Sequence, residues 1–203
     1  TDFGRPEEAE LLARDLTLAV GVPVLAVLGN HDFEGGKEKE VAAAIRAAGA
    51  KVLDGDGCEV RGVGFAGVKG FGGGFGRGTL EPWGEVGVKR FVREAVDEAL
   101  ELERALARLD TPTRVVLLHY APIRETVAGE PEEIYPYLGS GRLVEPIDRY
   151  GAAAVFHGHA HHGTPEGRTP GGVPVYNVSL PILRRVNRDG LPLKVIELPV
   201  AAP

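Results

Sequence analysis

Three apolar runs of strand length, residues 24–28, 114–118 and 152–156, each give way within a few residues to histidine. These three boundaries hold all six histidines of the chain: VLAVLGNHD, RVVLLHYAP and AAVFHGHAHHG. In open α/β sheets, ligands collect outside the carboxyl ends of the strands. A fold that sets three such ends on one rim would gather His31, His119, His157, His159, His161 and His162 there. Histidines that merely fill a core or decorate a surface would not respect the same boundary three times.

The rest of the chain supplies the helices such a sheet needs. Pro6 suits a first helical position, and Glu7, Glu8 and Glu10 favour the positive helix end. Ala9, Leu12, Leu16, Ala19 and Val20 then recur at helical spacing, and Gly21 can end the helix. Residues 24–28 read as a fully buried strand and 37–48 as a second helix, closed by Gly49. Short strands are expected at 51–53, 59–61 and 63–66. The longest helix follows, with Val88, Val92, Ala95, Ala99, Leu102, Leu106 and Leu109 as its apolar stripe and 110–113 as its stop. Beyond a proline-rich loop, 122–138, a helix is expected near 142–150, with further strands at 173–178 and 193–198. Helices and strands alternate, then strands dominate. The pattern predicts a single α/β domain with a mixed sheet.

Between the strands and the longest helix lies GVKGFGGGFGRGTLEPWGE, a glycine-rich loop of a length that is usually functional or disordered. Phe65, Phe71, Phe75 and Trp83 could stack on a base or aryl group, and Lys69 and Arg77 could meet phosphate. The competing expectation is a flexible surface excursion whose aromatics cap the sheet. Residues 62–67, GVGFAG, fit a dinucleotide fingerprint literally. That fingerprint should follow the first strand and open a helix, which these residues do not; they read as a strand and a turn.

Composition narrows the function classes. The chain has 203 residues, 26% of them charged, with a net charge of -6. No basic face for nucleic acid or anionic membrane is expected. No apolar run approaches the roughly 18 residues of a membrane span. Cys58 is the only cysteine, so no internal disulfide is possible and a reducing, cytoplasmic setting is the simplest expectation. Methionine and glutamine are absent. The missing methionine suggests that Thr1 is not the start of the gene product, and depletion of heat-labile residue types suggests a thermophile.

Each histidine group has a bland alternative. Gly29–Asn30 is ordinary turn chemistry, and a lone His119 could be a satisfied core residue. HGHAHH is harder to dismiss. In an extended segment His159 and His161 point to one side, with His157 in the same parity and His162 opposed. Alternate imidazoles on one face suit metal ligation.

The set Gly29-Asn30-His31-Asp32, then His119 at a strand end, then Gly158-His159-Ala160-His161 resembles the calcineurin-like metallophosphoesterases in order, strand context and spacing. The resemblance implies a four-layer α-β-β-α sandwich of mixed sheets with two divalent metals at one rim. It implies that Asn30, His119 and His159 bind one metal and His161 the other. His31 would face the substrate phosphate, with Asp32 orienting it; His157 and His162 receive no role. A metal-bridging hydroxide would attack the phosphorus of a small phosphomonoester or phosphodiester, nucleotide-like among the options, and His31 would protonate the leaving group. Imidazole, amide and carboxylate donors suit Mn, Fe, Zn or Ni.

The family pattern begins with a strand ending in Asp-x-His and a second motif that supplies a bridging aspartate. Neither stands here, and the opening TDFG resembles the tail of that second motif. A strand-helix unit of roughly 30 or more residues would therefore be expected upstream, and the 203-residue chain alone is expected to be weakly active or inactive. Two other classes stay open: a non-catalytic binding scaffold on the same fold, as in an endosomal sorting coat, and a metal-storage protein that uses HGHAHH.

Overall fold

A computed structural model describes residues 1–198. By their internal contacts these fall into a first unit, Thr1–Asp54, and a second that begins at Gly55. Each is described on its own.

In the first unit, α1 (Pro6–Val20) starts at its proline and ends at Gly21, which takes a left-handed φ of 58°. A short strand, β1 (Leu25–Ala26), leads to a 3-10 turn at Asn30–Phe33. Then follow α2 (Glu38–Ala47) and β2 (Lys51–Val52), which pairs parallel to β1. The helix stripe expected on α1 is corrected in one respect. Ala9 and Ala13 are its buried residues, whereas Leu12, Leu16 and Val20 stand exposed. Small alanines let α1 lie close to α2, and the Thr17 hydroxyl donates to the Ala48 carbonyl at 2.8 Å. The strand expected at 24–28 is also shorter than its apolar run. Only two residues join the ladder, and Leu28 alone of the five is fully buried.

The second unit is built on a six-stranded mixed sheet. Its first hairpin joins β3 (Asp56–Val60) to β4 (Val63–Gly67) through Arg61 and Gly62. Both loop residues have positive φ, 51° and 80°, the conformation that matches the right-handed twist of a two-residue hairpin. GVGFAG is thus a turn glycine and a strand. The long helix α3 (Val86–Ala107) crosses from β4 to β5 (Thr113–Leu117). A proline-rich stretch with 3-10 turns holds α4 (Tyr135–Leu138) and leads to α5 (Val144–Arg149) and β6 (Ala154–His157). β7 (Glu166–Arg168), β8 (Pro174–Asn177) and α6 (Leu180–Val186) complete the described elements. The sheet order is β3-β4-β5-β6-β8-β7, with β4, β5, β6 and β8 parallel and the two outer strands antiparallel. Both β7 and α6 escape the sequence pattern. The strand expected at 193–198 is irregular backbone: no ladder partner holds it.

Leu102, Ala105 and Leu106 of α3 pack with Ala66, Val116, Val155 and Val175 of four successive strands in the main core. The predicted stripe holds at Val92, Ala95, Leu102 and Leu106, but Val88 is exposed. Glu98 interrupts the stripe from inside and finds a partner there. Lys69, expected to meet phosphate, is 6% exposed, and its ammonium sits 3.0 Å from the Glu98 carboxylate.

The glycine-rich loop is no flexible excursion. Residues 72–75 are buried, and the loop is tied to residues 136–141 by backbone bonds. Gly73 N–H donates to Pro136, Gly74 N–H to Gly139, and Gly141 N–H back to Gly74, at 2.7–3.0 Å. Glycine permits this approach: a Cβ on Gly139 would stand 2.0 Å from the Ala121 carbonyl oxygen. Of the aromatics expected to stack on a ligand, Phe65 belongs to β4, Phe75 is buried with Ala121 and Leu138, and Phe71 packs on Phe91. Trp83 is exposed, as is Arg77.

Candidate metal centre

In the first unit the NHD stretch is a 3-10 turn, not a strand continuation. Asp32 is buried and accepts from Gly29 N–H at 2.7 Å and from the Thr1 hydroxyl at 2.5 Å. Burial pulls its pKa up, and the bonds from Thr1 and Gly29 pull it down. His31 is exposed. Its Nδ1 lies 3.0 Å from the Asp2 carbonyl and 3.1 Å from Glu34 Oε2. The Asp2 carbonyl can only accept, so Nδ1 carries the proton. The expected pairing of Asp32 with the His31 ring is therefore replaced: Asp32 closes its own turn, and Glu34 meets the imidazole. Asn30 is half-buried in the same turn.

In the second unit the ends of β5 and β6 lie side by side, with Leu117 opposite Phe156. Backbone bonds extend past that register. Leu118 N–H donates to Phe156, His119 N–H to Lys69, and Gly158 N–H to His119, at 2.8–3.1 Å. This continuation carries the half-buried His119 and His159 toward each other until Nε2 of His119 stands 3.1 Å from Nδ1 of His159. The other nitrogen of His159 lies 3.1 Å from the Tyr137 carbonyl. A carbonyl cannot donate, so Nε2 holds the ring proton and Nδ1 presents its lone pair to His119. The Tyr120 ring packs on both imidazoles, with centroids 4.4 Å from His159 and 5.5 Å from His119.

This donor pair fits a metal ion. Two imidazole nitrogens each about 2.0–2.1 Å from one ion stand roughly 3–3.4 Å apart at ordinary ligand angles. The observed separation falls in that window. Among the described residues, no group of three or more histidine, cysteine, aspartate or glutamate side chains is gathered as a ready-made metal cluster. Within the second unit the two imidazole nitrogens of His119 and His159 are the donors that the fold brings together.

The remaining histidines separate. His161 and His162 are exposed, and His162 donates its backbone N–H to Glu130 at 2.7 Å. His157 closes β6 and is completely buried, with Nδ1 2.8 Å from the Gly158 carbonyl and Nε2 2.8 Å from the Thr126 hydroxyl. Burial pushes its pKa down to about 4, so the ring is neutral. It donates from Nδ1 and accepts from Thr126. Strand parity does not govern this stretch beyond His157, because His159 takes a left-handed φ of 65°. Sequence reading also misses Tyr137, Tyr120 and the Lys69–Glu98 pair. Their roles depend on backbone carbonyls, packing and burial, which leave no spacing signature.

No described helix is long and apolar enough to cross a membrane. No curated protein matches the chain. A crystal structure of similar fold aligns with a TM-score of 0.54 at 19% identity, over 86% of this chain. This chain spans 63% of the length of that structure. A family model described as calcineurin-like phosphoesterase matches residues 1–163, a span that contains every histidine in the sequence. With strand-end imidazoles, a mixed α/β architecture and a family match over most of its length all in accord, the chain belongs to the calcineurin-like phosphoesterases.

Proposed function

We propose that this chain is a hydrolase of small phosphate esters that works with two divalent metal ions. The observation that carries the reading is the approach of His119 Nε2 to Nδ1 of His159, in a chain of phosphoesterase family. Within the second unit the assignment gives His119 and His159 to one ion and His161 to the other. When bound, the ions supply Lewis acidity at the phosphoryl oxygens and a nucleophile from water at neutral pH. The chain's own residues do the rest. The Tyr137 carbonyl keeps the proton on Nε2 of His159, so Nδ1 is the nitrogen with a lone pair toward His119. His31, exposed beside Glu34, is given the role of proton donor to the leaving oxygen. Asp32 shapes the turn that carries His31 and Asn30.

The test compares an aryl phosphomonoester with an aryl phosphodiester after chelation and re-addition of Mn. Hydrolysis that returns with Mn, and falls by about 100-fold or more in H119A and H159A, supports the reading. Stoichiometric metal binding with no hydrolysis of either ester, by this chain and by the longer gene product alike, would instead favour a binding scaffold. The mono- to diester ratio assigns the substrate class.

A further inference from the structure

His159 sits at the apex of a tight turn. Its φ is 65°, and Ala160 N–H closes back onto the Gly158 carbonyl at 2.8 Å. A three-residue turn with positive φ at its centre is the rare, strained kind. For a residue other than glycine such a conformation costs roughly 1–3 kcal/mol, and it persists only where the surroundings over-determine it. The surroundings here do so from several directions. The Ala160 side chain is fully buried in a cluster with Phe75, Ala121, Val127 and Leu138. The Ala160 carbonyl accepts from Asn177 Nδ2 at 2.7 Å and from the Ser179 hydroxyl at 3.2 Å.

Asn177 ends β8, directly opposite His157 in the ladder, and is 1% exposed. Its amide is fully used. Nδ2 donates to Ala160 and, at 3.2 Å, to the Thr126 carbonyl, while Oδ1 accepts from Ser179 N–H at 3.1 Å. One side chain thereby ties the His159 turn to the neighbouring strand and to the Thr126 segment. We propose that Asn177 is a positioning residue for His159: by gripping the Ala160 carbonyl it holds the strained turn, and with it Nδ1 of His159 opposite His119. The inference rests on the metal reading above and extends it to a residue that touches neither metal nor substrate.

Cobalt(II) is the probe, since its absorption reports donor set and geometry as well as occupancy. N177A should bind Co(II) about 10–100-fold more weakly than the unmutated chain, with an altered visible spectrum and retained helical circular dichroism. S179A, which loses only the 3.2 Å bond to Ala160, should fall between the two. Unchanged affinity and spectrum in a folded N177A overturn the proposal. Should N177A not fold, S179A decides: a weakened, shifted Co(II) site supports the clamp, and an unchanged one refutes it. H159A separates the two levels of the argument. Undiminished Co(II) binding in H159A removes the ligand assignment itself, and the clamp with it. Loss in H159A with none in N177A and S179A removes the clamp alone.

Discussion

Nε2 of His119 and Nδ1 of His159, forty residues apart in the chain, face each other across 3.1 Å. The contact is a hydrogen bond with Nδ1 of His159 as acceptor, and the same two nitrogens are the donors that the metal reading gives to one ion. The Tyr137 carbonyl already holds the proton of His159 on its far nitrogen. On the metal reading proposed above an ion takes the place of that hydrogen bond, and its binding then couples to stability.

An ion that binds the folded chain and not the unfolded one stabilises by mass action. Mn at about 100 times its dissociation constant should add about 3 kcal/mol and raise the melting temperature accordingly. Differential scanning calorimetry with and without Mn measures this. In H119A and H159A the Mn-dependent shift should vanish, even if the metal-free melting temperature is unchanged. A shift of equal size in both variants would locate the ion elsewhere.

The Lys69–Glu98 pair lies buried beneath Tyr120, with the ammonium over that ring at 5.4 Å. Burial raises the Glu98 pKa, and the Lys69 ammonium opposes the rise without cancelling it. K69M strips Glu98 of its counter-ion and should cost about 3–5 kcal/mol near neutral pH. A carboxyl whose folded pKa lies above its unfolded value favours folding below the ordinary carboxylate range and loses that contribution as pH rises. The cost of K69M should therefore shrink in acid, where Glu98 is protonated. Urea titrations at neutral and acid pH check this; an equal cost at both would show that charge is not the cause.

His157 sets an acid limit. Its folded pKa is pushed down to about 4 by burial, against an unfolded value of 6.5. Between those values the unfolded chain binds the extra proton, so stability rises with pH through this window and is lost as pH falls. The full loss is on the order of 3 kcal/mol. Thermal melts from neutral pH downward should show this slope, and H157Q should flatten it. A slope that survives H157Q would assign the effect to other groups.

The glycine-rich loop depends on a close backbone approach at Gly139. G139A places a methyl 2.0 Å from the Ala121 carbonyl oxygen, whereas at Gly141 the nearest atom is 3.8 Å away. G139A should destabilise by about 1–3 kcal/mol or more, as overpacking does, and G141A by far less. Urea midpoints of the two variants decide it, and equal values would contradict the packing argument.

Much of the fold was legible along the chain. The proline start and glycine end of α1, the stripe of α3 and the runs that became β4, β5, β6 and β8 are local signals, since each rests on periodicity or on the backbone preference of one residue. β7 and α6 were not legible, because β7 exists only through its pairing with β8 and α6 has one buried residue. The glycine-rich loop was misjudged for a related reason. Glycines there mark close packing against residues 136–141, and that partner lies some sixty residues away.

The candidate site divides the same way. Sequence alone determined which residues have metal-ligand chemistry and that they cluster where apolar runs stop, because residue type and strand length are local properties. Tertiary structure decided the rest. It turned His157 inward as a neutral buried residue and left His161 at the surface. It also bent the backbone at His159 to positive φ and locked that bend with Asn177. The physical reason is the register of β5 on β6 and of β6 on β8: long-range hydrogen bonding, absent from any local pattern, sets which nitrogen meets which.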